Sequence, residues 1–433
     1  MASNLHAVQS PRARARTESP SPATKPVSQR ASPRYKKQTR SKQTFRPDIE
    51  GMRAIAVTLV LLFHGYRHPF TGGFVGVDVF FVISGFLITS LLLREQTRSG
   101  RISVLGFYAR RARRILPASA LLVVATVVAT YCLLGFVAGN DVANDAKWTS
   151  VFAANIHFAL LGTDYLGSQL PPSPLQHMWS LGVEEQFYVV WPGLFLLMVL
   201  AVRGPRHRAA MAGVLTAIIG ASLAWSVIQT MSNATWAYFS PLTRAWELAL
   251  GALVAVGAPT IARMRPAWTS ELLAAGGLIG VTVSALVLGT STPYPGSAVM
   301  LPVISSAALI AAGCHNPNTA VGRALSVRPM QWLGARSYSL YLWHWPVLII
   351  AAQYVGHDLS AVQNTGLLLI AVLAAALSYR WVENPVRHAR VLTSRTGLSL
   401  AMGAMLIAGT IAVAQWQIAT HYGTWNVFES GFH

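Results

Sequence analysis

Acid is scarce in this chain of 433 residues: 15 Asp and Glu stand against 34 Lys and Arg, and charged residues of both signs total only 11%. A soluble domain carries roughly 25%, so an ordinary soluble enzyme is a poor reading. Cysteine is nearly missing. Cys132 and Cys314 lie in or beside apolar runs, too few for a disulfide framework or a thiolate metal site, so neither zinc nor any other metal is expected. What remains is apolar, with 53% hydrophobic residues and a mean hydropathy of +0.44. That composition needs a hydrocarbon solvent, and the basic surplus then reads as a membrane topology signal rather than as affinity for nucleic acid.

Residues 1–46 hold eleven Lys/Arg, one Glu and repeated Ser and Pro. Such a segment cannot repay its ordering entropy and is expected to be a disordered basic arm on the cytoplasmic side, available to anionic headgroups. It is too long and polar for a signal peptide, so the first apolar run is expected to be an uncleaved anchor. Runs long enough for about 30 Å of hydrocarbon fall near 52–70, 73–93, 115–136, 178–202, 209–229, 245–262, 272–289, 298–313, 337–355, 361–382 and 397–417. The expected fold is therefore all-α, a polytopic helical membrane bundle of eleven spans. Alternate connections hold nineteen Lys/Arg, whereas the others hold only Arg67, Lys147 and Arg244. The positive-inside rule then predicts a plasma-membrane protein with a cytoplasmic N-terminus and an extracytoplasmic C-terminus. The short apolar stretch within 148–162 is expected to be interfacial or re-entrant, because a crossing there would invert every later loop.

Ionisable residues inside spans are costly and mark candidate sites. Arg53 and His64 are eleven residues apart, so they share a helical face about 16 Å apart along the axis; this predicts Arg53 at the cytoplasmic rim and His64 near mid-membrane. Imidazole serves as a base or acyl acceptor at neutral pH. Arg110, Arg111, Arg113 and Arg114 pair at i,i+3, and guanidinium forks suit phosphate oxygens; Pro117 is expected in the first turn of the helix that follows. His177, Trp179, Ser180, Glu184 and Glu185 open the fourth span. Three residues stacked along one helix do not make a hydrolase triad; Glu184 is expected near the level of His64, and at least one of Glu184 and Glu185 is expected to ion-pair with an arginine or to hydrogen-bond His64. Asp78 is expected to pair between helices, and Arg244 and Glu247 to satisfy each other at i,i+3. Tyr341 and His344 lie in SYSLYLWHWP, where a His between two indoles suggests a stacking wall for a sugar or a carrier arm.

The runs FRPDIEGMR to His64, GGFVGVDVFFVISGFLI (72–88), FYARRARRILPA (107–118), HMWSLGVEEQFYVVWP (177–192), YFSPLTRAWELALGALVA (238–255), SYSLYLWHWP (337–346) and ENPVR (383–387) resemble the membrane acyltransferase-3 family, in order over about residues 45 to 390. The resemblance implies a ten-helix acyltransferase domain over 47–390, with 391–433 as an extra transmembrane helix and short outer tail. It implies an integral-membrane O-acyltransferase, often an O-acetyltransferase, that modifies hydroxyls of envelope glycans or glycolipids. The family's signatures fall on Arg53 with His64, on Arg111 with Arg114, and on Glu184. Acyl-CoA, commonly acetyl-CoA, is implied as co-substrate, with no permanently bound cofactor. The wording resembles the branch joined to an extracytoplasmic SGNH-type domain, so either a truncated chain or a partner acting in trans is expected.

On this reading, cytoplasmic acyl-CoA sets its phosphates on the arginine cluster and Arg53 and threads its arm toward His64, with Glu184 orienting the imidazole. The rival is a transporter or flippase for an anionic lipid-linked envelope precursor, which would use the same buried charges without bond chemistry.

Overall fold

A computed structural model describes residues 45–422 apart from 67, 164, 167–170, 203–205, 264–265 and 267. The expected basic arm lies outside the described residues but for its last two, as does the tail from 423 onward. The helices are α1 (Pro47–Tyr66), α2 (Gly76–Ser99), α3 (Val104–Ser150), α4 (Ala154–Leu160), α5 (Trp179–Ala201), α6 (His207–Ser232), α7 (Ala234–Phe239) and α8 (Pro241–Ile261). They continue as α9 (Trp268–Val287), α10 (Met300–His315), α11 (Ala320–Leu325), α12 (Arg328–Val355), α13 (Ala361–Ser378), α14 (Asn384–His388), α15 (Arg390–Ser394) and α16 (Thr396–Tyr422). Among the described residues there is no strand, and the protein is an all-α, multi-pass membrane bundle.

Each of the eleven predicted spans corresponds to one helix. Eight helices among the described residues are long and apolar enough to cross a membrane, and α10 is a shorter apolar helix. The other two, α8 and α12, carry Arg244, Glu247 and His344, all buried. Their polar groups turn into the bundle rather than toward lipid, which lowers hydropathy without exposing charge. The stretch at 148–162 ends α3 and forms α4, whose seven residues span about 10 Å and cannot cross.

The third span departs from its expected limits. α3 runs for 47 residues, about 70 Å if straight, more than twice the hydrocarbon thickness. It breaks at Gly135, where φ of 84° lies outside helical geometry and favours glycine. At its other end the helix starts at Ser103, whose side chain accepts the Gly106 N–H. The arginine cluster is thus helical rather than a connection, and Pro117 sits in the helix interior instead of its first turn. Buried membrane helices tolerate such a proline because neighbouring helices shield the freed carbonyl.

Local chemistry fixes the other ends that bear on the site. Arg46 forks Asp48 in the first turn of α1, at 2.8 and 2.6 Å, and Pro47 opens the helix where no N–H is needed. α2 and α8 pack backbone to backbone, since a Cβ on Gly85 would overlap the Leu248 carbonyl and one on Gly251 that of Val82. α1 packs on α2 and α12, and α16 lies along α3. After α13 the chain makes a π turn, Tyr379–Glu383, and Glu383 accepts the Ser339 hydroxyl of α12 at 2.7 Å.

Candidate active site

α1, α2, α3, α5, α12 and α14 enclose a cavity of about 460 Å³. Its lining on α2 runs from Val77 to Arg94, which by helical rise is about 25 Å. One end is basic, with Arg94, Arg110, Arg113, Arg387 and His388; Arg53, Arg111 and Arg114 stand farther in, and Phe80, Ser180 and Tyr341 line the opposite end. All four arginines of the predicted cluster therefore line one space, joined by Arg53 and Glu184.

They are not equivalent. Arg111 is held by Glu185 at 2.5 Å, and its guanidinium lies over the Tyr188 ring at 3.7 Å. Arg110 pairs with Glu95 at 2.8 Å in an exposed position. Arg113 reaches the Leu392 carbonyl at 3.0 Å and the Ser399 hydroxyl at 2.8 Å, tying α3 to α16. Arg114 has no hydrogen bond or ion pair among the described residues, and the charges around it include those of Arg53, Arg111 and Arg387, opposed by Glu383 and Glu185. A cavity wall with that surplus suits an anion with several phosphate oxygens.

His64 lies outside this cavity. Its Nδ1 is 3.0 Å from Nε2 of His344, with the rings stacked at 5.2 Å, and its Nε2 is 3.3 Å from the Tyr165 hydroxyl. Burial pushes the Tyr165 phenol well above its ordinary value, so it stays a neutral donor. Trp345 meets the His64 ring edge-on at 4.5 Å, and its indole N–H donates to the Ser173 carbonyl at 2.9 Å, pinning the loop before α5 to α12. Of the two indoles flanking His344 in sequence, only Trp345 reaches His64. Trp343 and Trp345 are two residues apart and so point about 200° apart around the helix.

His344 in turn donates from Nδ1 to the carbonyls of Tyr341, at 2.7 Å, and Leu340, at 3.2 Å. His177 donates from Nε2 to the Leu342 carbonyl at 3.1 Å, and its ring lies 5.7 Å from that of His344. The Tyr341 hydroxyl donates to the His177 carbonyl at 2.7 Å and accepts from Ser180 at 2.6 Å. The inner end of the cavity and the histidine cluster are thus two sides of one layer, formed by Tyr341 and His344.

Glu184 does not partner His64, contrary to the sequence expectation. It accepts from Ser84 at 2.6 Å and from the Tyr188 hydroxyl. The reason is depth: α1 begins at Pro47, which puts Arg53 two turns inside the helix and His64 only two residues from its end. His64 is therefore level with His177, and Glu184 lies about 10 Å farther along α5.

A second polar group forms where α2 meets α8. Arg244 Nη1 lies 2.9 Å from Asp78 and 3.1 Å from Glu247, and the Tyr294 hydroxyl donates to the other Asp78 oxygen. Trp179 packs against Tyr238 at 4.8 Å, with the Arg244 guanidinium 5.6 Å from its ring. The i,i+3 pair predicted on α8 is present, but Asp78 joins it, so the group bonds three elements rather than one. Sequence reasoning did not single out Arg387, Arg94, Ser84, Tyr188 or Tyr165 for the site. Ser84, Tyr188 and Arg387 lie within the runs that carry the family resemblance, whereas Tyr165 lies in a loop with no periodicity to read.

A polytopic helical protein with an arginine-lined cavity set against a histidine pair, His344 buried and His64 half-buried, is the class that the fold and site define. Residues 46–381 match the family model described as an acyltransferase domain, and the chain belongs to this acyltransferase-3 family. It is similar to the putative peptidoglycan O-acetyltransferase YrhL of Bacillus subtilis (strain 168), 32% identical over 350 residues, 79% of this chain and 55% of that protein. It is 29% identical over 364 residues to the peptidoglycan O-acetyltransferase OatA of Listeria monocytogenes, covering 81% of this chain and 57% of the relative. The O-acetyltransferase OatA of Staphylococcus aureus is 30% identical over 352 residues, 79% of this chain and 57% of that one. The chain thus spans little more than half the length of these curated relatives. No solved structure matches it.

Proposed function

We propose that the protein is an integral-membrane O-acetyltransferase that moves an acetyl group from cytoplasmic acetyl-CoA to a hydroxyl of a cell-envelope glycan. The observation that carries this reading is the single slot, about 25 Å long, with guanidinium groups at one end and Tyr341, backed by His344 and His64, at the other. Arg114, Arg53 and Arg387 would take the phosphates, the apolar side chains of α2 would flank the pantetheine arm, and the thioester would pass Ser180 and Tyr341 to reach His64. The glycan acceptor is proposed from the names of the relatives. The positive-inside pattern supports placing the arginine end in the cytoplasm and the histidine end outside, in the plasma membrane.

In the direct route the acceptor hydroxyl gives its proton to His64 as its oxygen attacks the thioester carbonyl. The carbon–sulfur bond breaks, and the departing sulfur takes the proton back from His64. In the acyl-imidazole route His64 attacks first, the carbon–sulfur bond breaks, and the thiolate takes the proton that the acylated ring releases; the acyl group then passes from nitrogen to the hydroxyl oxygen, whose proton returns to the imidazole. The enzyme core at 47–390, the added helix beyond it, and an extracytoplasmic SGNH-type domain or partner that receives the acyl group belong to the same proposal. The test is acetyl-CoA-dependent release of free thiol by the protein in lipid, with and without an envelope-glycan extract, for wild type and His64→Ala. Extract-stimulated release by wild type alone is expected. A wild type that neither binds nor consumes acetyl-CoA sinks the proposal and favours transport of an anionic precursor.

A further inference from the structure

We propose that His177 is a donor-binding residue, whose Nδ1 accepts a hydrogen bond from an amide N–H of the pantetheine arm as the thioester passes toward His64; this rests on the acyltransferase reading above. The rings of Tyr341, His177 and His344 form a triangle with centroids 5.5–5.7 Å apart. Tyr341 lines the inner end of the cavity, and His344 stacks on His64 at 5.2 Å, so an arm that brings its thioester to His64 crosses this layer. His177 is fully buried in it. Its Nε2 lies 3.1 Å from the Leu342 carbonyl; a carbonyl oxygen only accepts, so this nitrogen carries the hydrogen. No carboxylate is bonded to His177 among the described residues, and a charged ring would be costly to bury. The ring is therefore neutral and Nδ1 is an acceptor, buried and without a hydrogen-bond partner among the described residues.

Buried polar atoms are nearly always paired, so an acceptor left open in the layer that a substrate crosses marks a place for an incoming donor. The neighbouring acceptors are occupied. The His177 carbonyl takes the Tyr341 hydroxyl at 2.7 Å, the Tyr341 carbonyl takes His344 Nδ1 at 2.7 Å, and the Leu342 carbonyl takes His177 itself. Ser180, on the turn after His177, lines the cavity and bonds the same Tyr341 hydroxyl, so His177 borders the donor slot. The arm supplies the missing group: its cysteamine amide N–H follows the thioester by a few bonds and enters apolar surroundings that include Phe80 and Leu181. An N–H without an acceptor there would itself be costly, and pairing it with Nδ1 removes both penalties.

The test uses the whole protein in lipid with His177→Asn and His177→Gln, and two donors: acetyl-CoA and its analogue with an ester oxygen in place of the cysteamine N–H. An asparagine amide oxygen sits at the δ position and can accept where Nδ1 did. A glutamine amide sits at the ε position, so it keeps the bond to the Leu342 carbonyl but not the open acceptor. With acetyl-CoA, kcat/KM should stay within about fivefold of wild type for Asn and fall about 10- to 100-fold for Gln, the effect of leaving one buried N–H unpaired. A purely structural His177 gives the opposite order, since Gln alone keeps the tie to α12. Wild type should use the ester analogue about 10- to 100-fold less well than acetyl-CoA, and the Gln variant should add no further loss with it. The phosphorylated ADP head of CoA, without its arm, should bind all three proteins alike. Equal use of both donors by wild type overturns the proposal and needs no variant. So does a Gln variant that loses as much with the ester as with acetyl-CoA, or an Asn variant that binds the head yet is as slow as Gln. A wild type that uses neither donor overturns the acyltransferase reading along with it.

Discussion

Removing Arg244 should destabilise the protein by about 3–5 kcal/mol, the usual cost of breaking a buried ion pair from one side. Arg244→Met keeps the bulk and deletes the guanidinium that separates Asp78 from Glu247; the side chains of the three residues are 1%, 2% and 0% exposed. Two carboxylates would then face each other with the Tyr294 hydroxyl as the remaining donor to Asp78, and the stacking of the guanidinium on Tyr238 and Tyr294, 5.2 Å from each, would be lost. An unfolding entropy of about 2.1 cal/mol/K per residue gives about 0.9 kcal/mol/K for a chain of this size, so 4 kcal/mol lowers the melting temperature by roughly 4–5 °C. The assay is a melt in lipid nanodiscs followed by tryptophan fluorescence. Combining Arg244→Met with Asp78→Asn and Glu247→Gln removes every charge and should recover most of the loss, because the penalty lies in the uncompensated carboxylates. A single variant melting within about 1 °C of wild type, or a triple variant less stable than the single one, would refute the reasoning.

Two further outcomes follow from the packing and the cavity. Gly85→Leu should drive α2 away from α8, since the new side chain meets the Leu248 backbone; overpacking costs about 1–3 kcal/mol or more, and a variant that melts like wild type contradicts this close approach. Arg114→Gln should weaken acetyl-CoA binding by about 10- to 100-fold, the equivalent of one charge-assisted hydrogen bond of 1.5–3 kcal/mol. Titration in nanodiscs checks it, and unchanged affinity removes Arg114 from the phosphate site.

The bilayer makes the fold of this chain easy to read, because every crossing must supply a long apolar run and polar interruptions are conspicuous. That is why the eleven long helices and many of the charged groups now seen in the interior could be named. Their partnerships could not. His64 and His344 are 280 residues apart, and nothing in local spacing joins them. Pairing His64 with Glu184 depended on an assumed depth for Arg53, which the start of α1 at Pro47 shifts by two turns. The Arg110–Arg114 run could be read as a helical face, but its division into one paired, one exposed, one tied to α16 and one unpaired side chain depends on Glu185, Glu95 and Ser399. Those contacts come from other helices.

The central claim is that one protein binds acetyl-CoA at its arginine end and reacts it at its histidine end, so the most direct measurement separates the two. Acetyl-CoA titrated into wild type and His64→Ala in the same lipid, alongside thiol release, should give affinities within about twofold, with turnover in the wild type only. A His64→Ala protein that still releases thiol at the wild-type rate would contradict the account.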